Sequence, residues 1–360
     1  MISLTNSAIV EVLTPIWQRV LQRSSIDVDD DFFDLGGNAA LAARLFAEIA
    51  QASSRELRPT VICQASTIRG LAAVLERPLA PALSPITLLK PGAEKPPIFI
   101  THGIGGSVID FVPLARRIEV KQPIYGMQAR GTDGSEDPCE EPFDRVEDMA
   151  KYYLDAIRQL QRNGPYFLIG YSLGGQVALE MAQRLSAKGN KVSLLAMLDS
   201  YPHSHHLSRG QRALLFARRA RGRVSALSKL PMREVVSRLI SRVRGRGQSP
   251  VAETFTPSVR RSLESANLAW ARYQPQFYAG KIEFIRAETV TYFPANPAAV
   301  WGKQVSQFEC ETVPGDHVGM VTAHVDSLAA VLSRRLKEAL SQERALFGMD
   351  DPLSQMPRGA

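Results

Sequence analysis

The feature that most constrains this fold is a ten-residue stretch, Phe167-Leu168-Ile169-Gly170-Tyr171-Ser172-Leu173-Gly174-Gly175-Gln176. It starts as a continuous apolar run, typical of a buried strand, and passes through Gly-x-Ser-x-Gly into a helix-forming segment, Gln176 to Leu185. Because the turn between such a strand and helix is tight, small residues must flank Ser172 two positions to either side, and Gly170 and Gly174 supply them. The pattern predicts a nucleophile elbow, which holds a serine hydroxyl above the edge of a sheet.

The rest of the C-terminal part alternates apolar runs with helical segments. Continuous apolar strands separated by helices indicate a mostly parallel sheet that is covered on both faces, an α/β fold. Besides the elbow strand, the predicted strands are Pro97–Thr101, Ile124–Met127, Val192–Leu198, Ile282–Ile285 and Phe308–Val313, and the longest predicted helix is Val146–Leu160.

The elbow needs partners for chemistry. A serine hydroxyl becomes a good nucleophile only when a base takes its proton, and the base needs a carboxylate to fix its tautomer. On an α/β sheet the expected chain order is serine, acid, histidine. Asp199 ends the strand after the elbow, 27 residues beyond Ser172, and Glu288 is the alternative acid. His317 is the predicted base, because the loop Val313–Gly319 leaves the last predicted strand.

The other five histidines are predicted to have other roles. His102 lies in the loop facing the elbow and is expected to be structural, and His324 is expected to be a solvated or packing residue of the following helix. The cluster of His203, His205 and His206 could suggest metal ligation. No second ligand group accompanies it, so we predict no metal site.

A glycine-bearing loop, His102-Gly103-Ile104-Gly105-Gly106, follows the first core strand. By itself it could be an ordinary turn after a strand. Beside an elbow, it is expected to place the backbone N–H of Ile104 next to that of Leu173, so that both hold a developing oxyanion.

Residues 1–77 have a different, helical pattern. Apolar residues fall at helical spacing over Ile9–Leu21, and further helices are predicted over Ala39–Ala50 and Ile68–Leu75. The simplest interpretation is a three-helix scaffold with a Gly-Gly turn. However, Asp31-Phe32-Phe33-Asp34-Leu35-Gly36-Gly37-Asn38 and the following Leu41–Leu45 resemble the carrier-protein motif of nonribosomal peptide and polyketide synthetases.

The resemblance has one departure, at Ala39, where that family has the serine that receives phosphopantetheine. Alanine has no oxygen to form the phosphodiester, so the cofactor expected for the family cannot attach here. The nearest serines, Ser25 and Ser53, are too far away to replace it. Either the serine was replaced to keep the protein unmodified, which the well-kept motif favours, or the domain has lost its arm and serves as a docking module.

Together, the two parts resemble the terminal carrier–thioesterase pair of a nonribosomal peptide or hybrid polyketide synthetase. The predicted domains are a carrier at 1–77, a proline-containing linker at 78–95, an α/β-hydrolase thioesterase at 96–344 and a tail at 345–360. The residues that resemble the thioesterase family are Gly170–Gly175, Leu198-Asp199 and Gly315-Asp316-His317.

The resemblance implies a serine thioesterase that releases an acyl or peptidyl chain from a phosphopantetheine carrier through an acyl-O-Ser172 intermediate. Release would occur by hydrolysis, cyclisation or transfer. The implied partners are a carrier-bound thioester, upstream synthetase modules and, if a serine stood at Ala39, a phosphopantetheinyl transferase. Two alternatives stay open: an ester hydrolase or acyltransferase acting on a free substrate, and a non-catalytic docking protein.

The resemblance also implies a helical lid, predicted at 203–265. Residues 203–250 carry a net charge of +11, which leaves the rest of the +7 chain at −4. This basic segment could be a solvated face, attract an acidic carrier surface such as Asp27–Asp34, or recognise an anionic substrate group. We predict no nucleic-acid partner, because aromatic residues for base stacking are nearly absent from it.

Bulk properties are consistent with a cytoplasmic protein. No run approaches the roughly 20 apolar residues that a membrane span needs, and the N-terminus lacks the pattern of a secretion signal. Three widely spaced cysteines, Cys63, Cys139 and Cys310, argue against a disulfide framework.

Overall fold

The structure is a computed structural model that describes residues 6–53, 55–77, 84–132, 141–217, 257–289, 293–294 and 296–346. They form a helical N-terminal domain followed by an α/β domain, so the predicted fold class is confirmed. Most of the predicted lid, residues 218–256, and the tail from 347 onward lie outside the described residues. Among the helices of the described ranges, none has both the length and the apolar character to cross a membrane.

The N-terminal domain is built from α1 (Asn6–Leu21), α2 (Ala39–Ser53) and α3 (Ile68–Glu76), with a short 3₁₀ helix at Pro59–Cys63 between the last two. Their apolar faces enclose a core in which the rings of Trp17 and Phe32, both fully buried, meet edge to face at 5.5 Å. The helical spacing of the apolar residues therefore produces the expected three-helix core.

A seven-stranded sheet forms the centre of the second domain, in the order β1-β3-β2-β4-β5-β6-β7. Six strands are parallel, and only β1 runs antiparallel, beside β3 at the edge. The strands are β1 (Ile86–Lys90), β2 (Ile98–Thr101), β3 (Ile124–Met127), β4 (Tyr166–Tyr171), β5 (Val192–Leu198), β6 (Tyr278–Ala287) and β7 (Val305–Val313).

Helices cover both faces of this sheet, which explains why its central strands are continuous apolar runs. One apolar cluster includes α4, α9 and the helices of the N-terminal domain, and the other includes α5, α6 and α7. The helix bounds are α4 (Val112–Arg117), α5 (Val146–Leu160), α6 (Leu173–Ala187), α7 (Pro257–Arg272), α8 (Ala298–Trp301) and α9 (Val325–Leu346). Residues 209–217, within the predicted lid, are also helical.

The structure differs from the sequence-based expectations in several places, of which three concern the edges of the sheet and His324. Strand β1 lies inside the segment predicted to be a linker. It was not predicted as a strand, because its residues alternate between buried and partly exposed and because prolines flank it. Strands β6 and β7 extend further toward their N-termini than predicted, since those portions are partly exposed. His324 directly precedes α9 rather than lying within it.

Candidate active site

Ser172 occupies a strained turn between β4 and α6. Its backbone has φ 55° and ψ −122°, a conformation that residues other than glycine rarely adopt. Its N–H donates to Leu198 O at 2.9 Å, and its carbonyl accepts from Gly175 N at 3.1 Å. These hydrogen bonds fix the turn between the ends of two parallel strands and the first turn of a helix.

Small residues make this turn possible. A Cβ at Gly170 would overlap the carbonyl of Gly174, and a Cβ at Gly174 would overlap the carbonyl of His102. The strand, the helix and the loop after β2 therefore meet at backbone contact distance. This close approach is the physical reason for the Gly-x-Ser-x-Gly spacing in this chain.

Three side chains that are far apart in the sequence meet above this turn. His317 Nε2 lies 3.1 Å from Ser172 Oγ, and His317 Nδ1 lies 2.8 Å from Asp199 Oδ2. Because an ionised carboxylate can only accept hydrogen bonds, the proton of a neutral imidazole belongs on Nδ1, which leaves Nε2 to accept from the serine. The geometry can thus transfer a proton from the hydroxyl to the imidazole.

Asp199 is held at the end of β5 by its neighbour β6. Its N–H donates to Ile285 O at 2.8 Å, and its Oδ1 accepts from Ala287 N at 3.3 Å. The carboxylate is buried, and the other oxygen, Oδ2, faces His317. Glu288, the alternative acid of the sequence analysis, is an exposed residue just beyond β6.

The loop after β7 brings His317 to the site. Gly315 has φ +90°, a conformation that favours glycine, and Asp316 Oδ1 accepts from Gly319 N at 2.7 Å. On one side of the imidazole, the ring of Tyr171 stacks at 4.9 Å, and on another the ring of Phe293 meets it edge-on at 4.9 Å. The histidine is therefore packed between two aromatic rings as well as hydrogen-bonded.

Tyr171 and Phe293 were not identified from the sequence. Tyr171 occupies a variable position of the Gly-x-Ser-x-Gly motif, and Phe293 lies next to Tyr292 in the sequence between β6 and α8, where no element was predicted. Neither has a neighbour pattern that predicts its contacts. The one signal in the sequence was that Tyr171 directly precedes Ser172, since a residue at that position is close to any histidine that reaches the serine.

His102 is structural in its contacts, as expected. It is almost fully buried, with Nε2 2.6 Å from the hydroxyl of Tyr153 and Nδ1 2.6 Å from Gly103 O. Burial lowers the pKa of His102 to about 4, and the contact with Gly103 O opposes this shift. The imidazole is therefore neutral near pH 7 and anchors the loop on α5.

The glycine-bearing loop passes beside the elbow. Gly106 N donates to Gly103 O at 3.0 Å, which closes a turn over Ile104 and Gly105. A Cβ at Gly103 would lie 2.9 Å from the ring of Tyr171 and 3.8 Å from Ser172 Cβ. On the opposite side, Leu173 is the first residue of α6, so helix geometry gives its N–H no intrahelical acceptor.

The three clustered histidines each have protein contacts. The rings of His203 and His205 lie 4.4 Å apart, the ring of Trp270 meets that of His203 edge-on at 4.8 Å, and His206 Nε2 lies 2.9 Å from Ala271 O. Within the described ranges, no group of three or more histidine, cysteine, aspartate or glutamate side chains is arranged to hold a metal ion.

In the N-terminal domain, Ala39 is the first residue of α2. Its N–H donates at 2.8 Å to Oδ1 of Asp110, which belongs to the second domain, and Leu41 N donates at 3.0 Å to Asn38 Oδ1. Two of the free N–H groups that open the helix are thus paired with side-chain oxygens. Asp110 has no sequence pattern that predicts this role, because the contact joins two domains.

Comparison with known proteins covers both domains. Residues 96–336 match the family described as thioesterase domain, and residues 11–75 match the family described as phosphopantetheine attachment site. A four-domain nonribosomal peptide synthetase, crystallised in its holo form with AMP and glycine, has a similar fold, with a TM-score of 0.55. It is 22% identical, and the match covers 91% of this chain and 26% of that one.

Two curated relatives are nonribosomal-type synthetases. A dimodular nonribosomal peptide synthase of Bacillus subtilis (strain 168) is 33% identical over 287 residues, 78% of this chain. Indigoidine synthase of Dickeya dadantii (strain 3937) is 37% identical over 183 residues, 51% of this chain. The match spans only 12% of the length of each relative. The match to the thioesterase domain family covers about two thirds of the residues and includes the elbow, Asp199 and His317. The chain therefore belongs to the thioesterase domain family, with a carrier-type domain before it.

Proposed function

We propose that this protein is a serine thioesterase that releases an acyl or peptidyl chain from a carrier-bound thioester through an ester on Ser172. The observation that carries the proposal is the continuous hydrogen-bonded series from Ser172 Oγ through His317 to Asp199, at 3.1 Å and 2.8 Å. Such a series converts a hydroxyl into a nucleophile, and the matched family supplies the thioester as the bond to be cleaved.

In the first half-reaction, Ser172 Oγ attacks the thioester carbonyl carbon while His317 Nε2 takes the hydroxyl proton. Asp199 stabilises the resulting imidazolium and keeps Nδ1 protonated. The tetrahedral intermediate then collapses, the C–S bond breaks, and the imidazolium donates its proton to the departing thiolate. The products are a free thiol and an acyl ester on Ser172.

The negative charge of the tetrahedral intermediate needs preorganised donors. The N–H groups of Leu173 and Ile104 suit this role, because the first opens α6 directly after the serine and the second lies in the turn packed beside it. Removal of one such donor typically costs about 3–4 kcal/mol of transition-state stabilisation.

In the second half-reaction, His317 takes a proton from the releasing nucleophile, which attacks the ester carbonyl. Water gives a carboxylic acid, and an amine or hydroxyl of the bound chain gives a cyclic product. In both cases Ser172 Oγ leaves and recovers its proton from His317, so the enzyme returns to its starting state. Phe293 packs beside His317 and is itself supported by the rings of Tyr201 and Trp270, so it offers an aromatic surface suited to an apolar portion of the chain.

The cofactor of the carrier family does not fit this chain at its expected position. We propose that residue 39 corresponds to the attachment site, since it follows Asp31–Asn38 and begins α2. Alanine offers no hydroxyl, and the N–H at that position is already bonded to the carboxylate of Asp110. The thioester is therefore supplied by a group that is not attached to residue 39.

The test is to incubate the protein with acyl thioesters of pantetheine and with matched oxygen esters, and to follow the intact mass. We expect a mass increase equal to the acyl group with thioesters, and no such adduct in Ser172→Ala. Faster acylation by the oxygen esters would instead favour an ester hydrolase. Absence of an adduct and of turnover with every thioester would leave only a docking role.

A further inference from the structure

The carrier-type domain contacts the thioesterase domain through a carboxylate at the start of α2. Asp110 lies in the short 3₁₀ turn Ile109–Phe111 that leads into α4, and it accepts the N–H of Ala39 at 2.8 Å. The N-terminus of a helix carries a partial positive charge, which makes it a favourable position for an anion. In this chain the anion comes from the neighbouring domain.

A second contact, six residues further along the chain, supports the first. Arg116 of α4 reaches the motif loop of the carrier domain, with Nη1 3.0 Å from Asp31 Oδ2 and Nη2 3.1 Å from Ser66 Oγ. Its guanidinium also lies 5.1 Å from the ring centre of Phe33. Although desolvation is the largest influence and raises the pKa of Asp31, the hydrogen bonds of Arg116, Ser66 and the Phe33 amide together lower it.

Apolar packing continues across the same boundary. The buried side chains of the carrier helices and those around α4 and α9 belong to one contiguous cluster. From Asp110 the contacts continue toward the active site, because the ring of the adjacent Phe111 packs on Tyr171 at 5.7 Å and Tyr171 packs on His317 at 4.9 Å. The docked carrier domain therefore abuts the layer of residues that supports the imidazole.

We propose that the carrier domain is a fixed docking module in which the Asp110 carboxylate takes the place of a phosphate at the start of α2, so that Ala39 and Asp110 form a matched pair. The inference rests on the proposed function only in taking residue 39 as the attachment position. A phosphodiester on residue 39 would bring a second negative charge to the N–H group that Asp110 occupies. Like charges at this distance repel, so a carrier domain loaded with the phosphodiester would separate from the thioesterase domain.

Two substitutions at residue 39 that differ from each other only in charge test this pairing. Ala39→Glu adds one negative charge, and Ala39→Gln adds the same shape without the charge. On an isolated helix, glutamate in the first turn is favourable, so the carrier domain itself is not weakened. All variants carry Ser172→Ala, and hydrogen–deuterium exchange of segments 59–66 and 109–117 in the full chain reports docking, with small-angle scattering as a second measure.

We expect Ala39→Glu to speed exchange in both segments by about tenfold or more and to expand the particle, while Ala39→Gln leaves both unchanged. Adding Asp110→Asn to Ala39→Glu removes the repulsion and should restore protection. The control is Asp155→Asn, an exposed aspartate on α5, which should not restore it. Equal behaviour of the Glu and Gln variants, or no rescue by Asp110→Asn, would overturn the proposal.

A second measurement uses the phosphodiester itself. The Ala39→Ser variant is treated with coenzyme A and a phosphopantetheinyl transferase, and loaded and unloaded protein are separated by mass. The unloaded form should stay docked and the loaded form should not. If the variant cannot be loaded, the Glu and Gln comparison decides alone. Because every readout is docking in a Ser172→Ala background, failure here is distinct from failure of the proposed thioesterase activity.

Discussion

The hydroxyl of Tyr171 donates a hydrogen bond at 2.6 Å to the backbone carbonyl of His317, while its ring stacks on the imidazole at 4.9 Å. The residue before Ser172 thus fixes the loop that carries His317. Burial, and then the nearby carboxylates of Asp199, Asp316 and Asp110, raise the pKa of Tyr171, so its hydroxyl stays protonated and able to donate.

Replacement of this hydroxyl should loosen the base without removing it. We expect Tyr171→Phe to lower kcat for a pantetheine thioester by about three- to tenfold, the worth of one hydrogen bond, with little change in KM. Steady-state kinetics measures both constants. Tyr125→Phe, which removes a hydroxyl from β3, is the matched control. A change confined to KM would mean that Tyr171 contacts substrate instead.

The choice between the two acids of the sequence analysis can be made by one pair of variants. Asp199→Asn should lower kcat on the order of 10³- to 10⁴-fold, because an asparagine neither stabilises the imidazolium nor fixes the required tautomer. Glu288→Gln should leave kcat unchanged, since Glu288 is exposed beyond β6. Single-turnover acylation of Ser172 measures the step directly, and the reverse ranking would assign the acid to Glu288.

The parts of this fold that could be predicted from sequence are those specified by local patterns. The bounds of α5, β3 and β5 agree with prediction, because a helical stripe and buried apolar runs leave little choice of structure. The positions of Asp199 and His317 followed from strand order. By contrast, the pairing of Ala39 with Asp110 depends on how two domains meet, and no local pattern encodes that geometry.

Stability should depend on pH through His102. Its pKa of about 4 in the folded protein lies below the ordinary value of 6.5, so between these values the unfolded chain binds the additional proton. Folding free energy attributable to His102 is therefore present above pH 6.5 and is lost as the pH falls. From about pH 7.5 to about pH 5, the expected loss is about 2 kcal/mol.

Urea unfolding at several pH values checks this expectation. His102→Gln should be less sensitive to acid than the parent chain by that amount, whatever its stability at neutral pH. His205→Gln, at an exposed histidine, should keep the parental pH dependence. If His102→Gln retained the full loss on acidification, the titrating group would have to be another one.

The strain at Ser172 predicts a conflict between stability and activity. Its φ of 55° and ψ of −122° cost on the order of 1–3 kcal/mol for a residue with a Cβ. Ser172→Ala keeps the Cβ and hence the strain, whereas Ser172→Gly removes both, at an entropic cost of about 0.5–1 kcal/mol in the unfolded chain. The glycine variant should therefore be about 1 kcal/mol more stable than the alanine variant, although neither can form the acyl ester.

Thermal and urea unfolding of the two variants, measured side by side, determine the difference. A glycine variant less stable than the alanine variant by the full entropic cost of about 0.5–1 kcal/mol would show that the elbow stores no strain, and the serine would then owe its position to its hydrogen bonds alone.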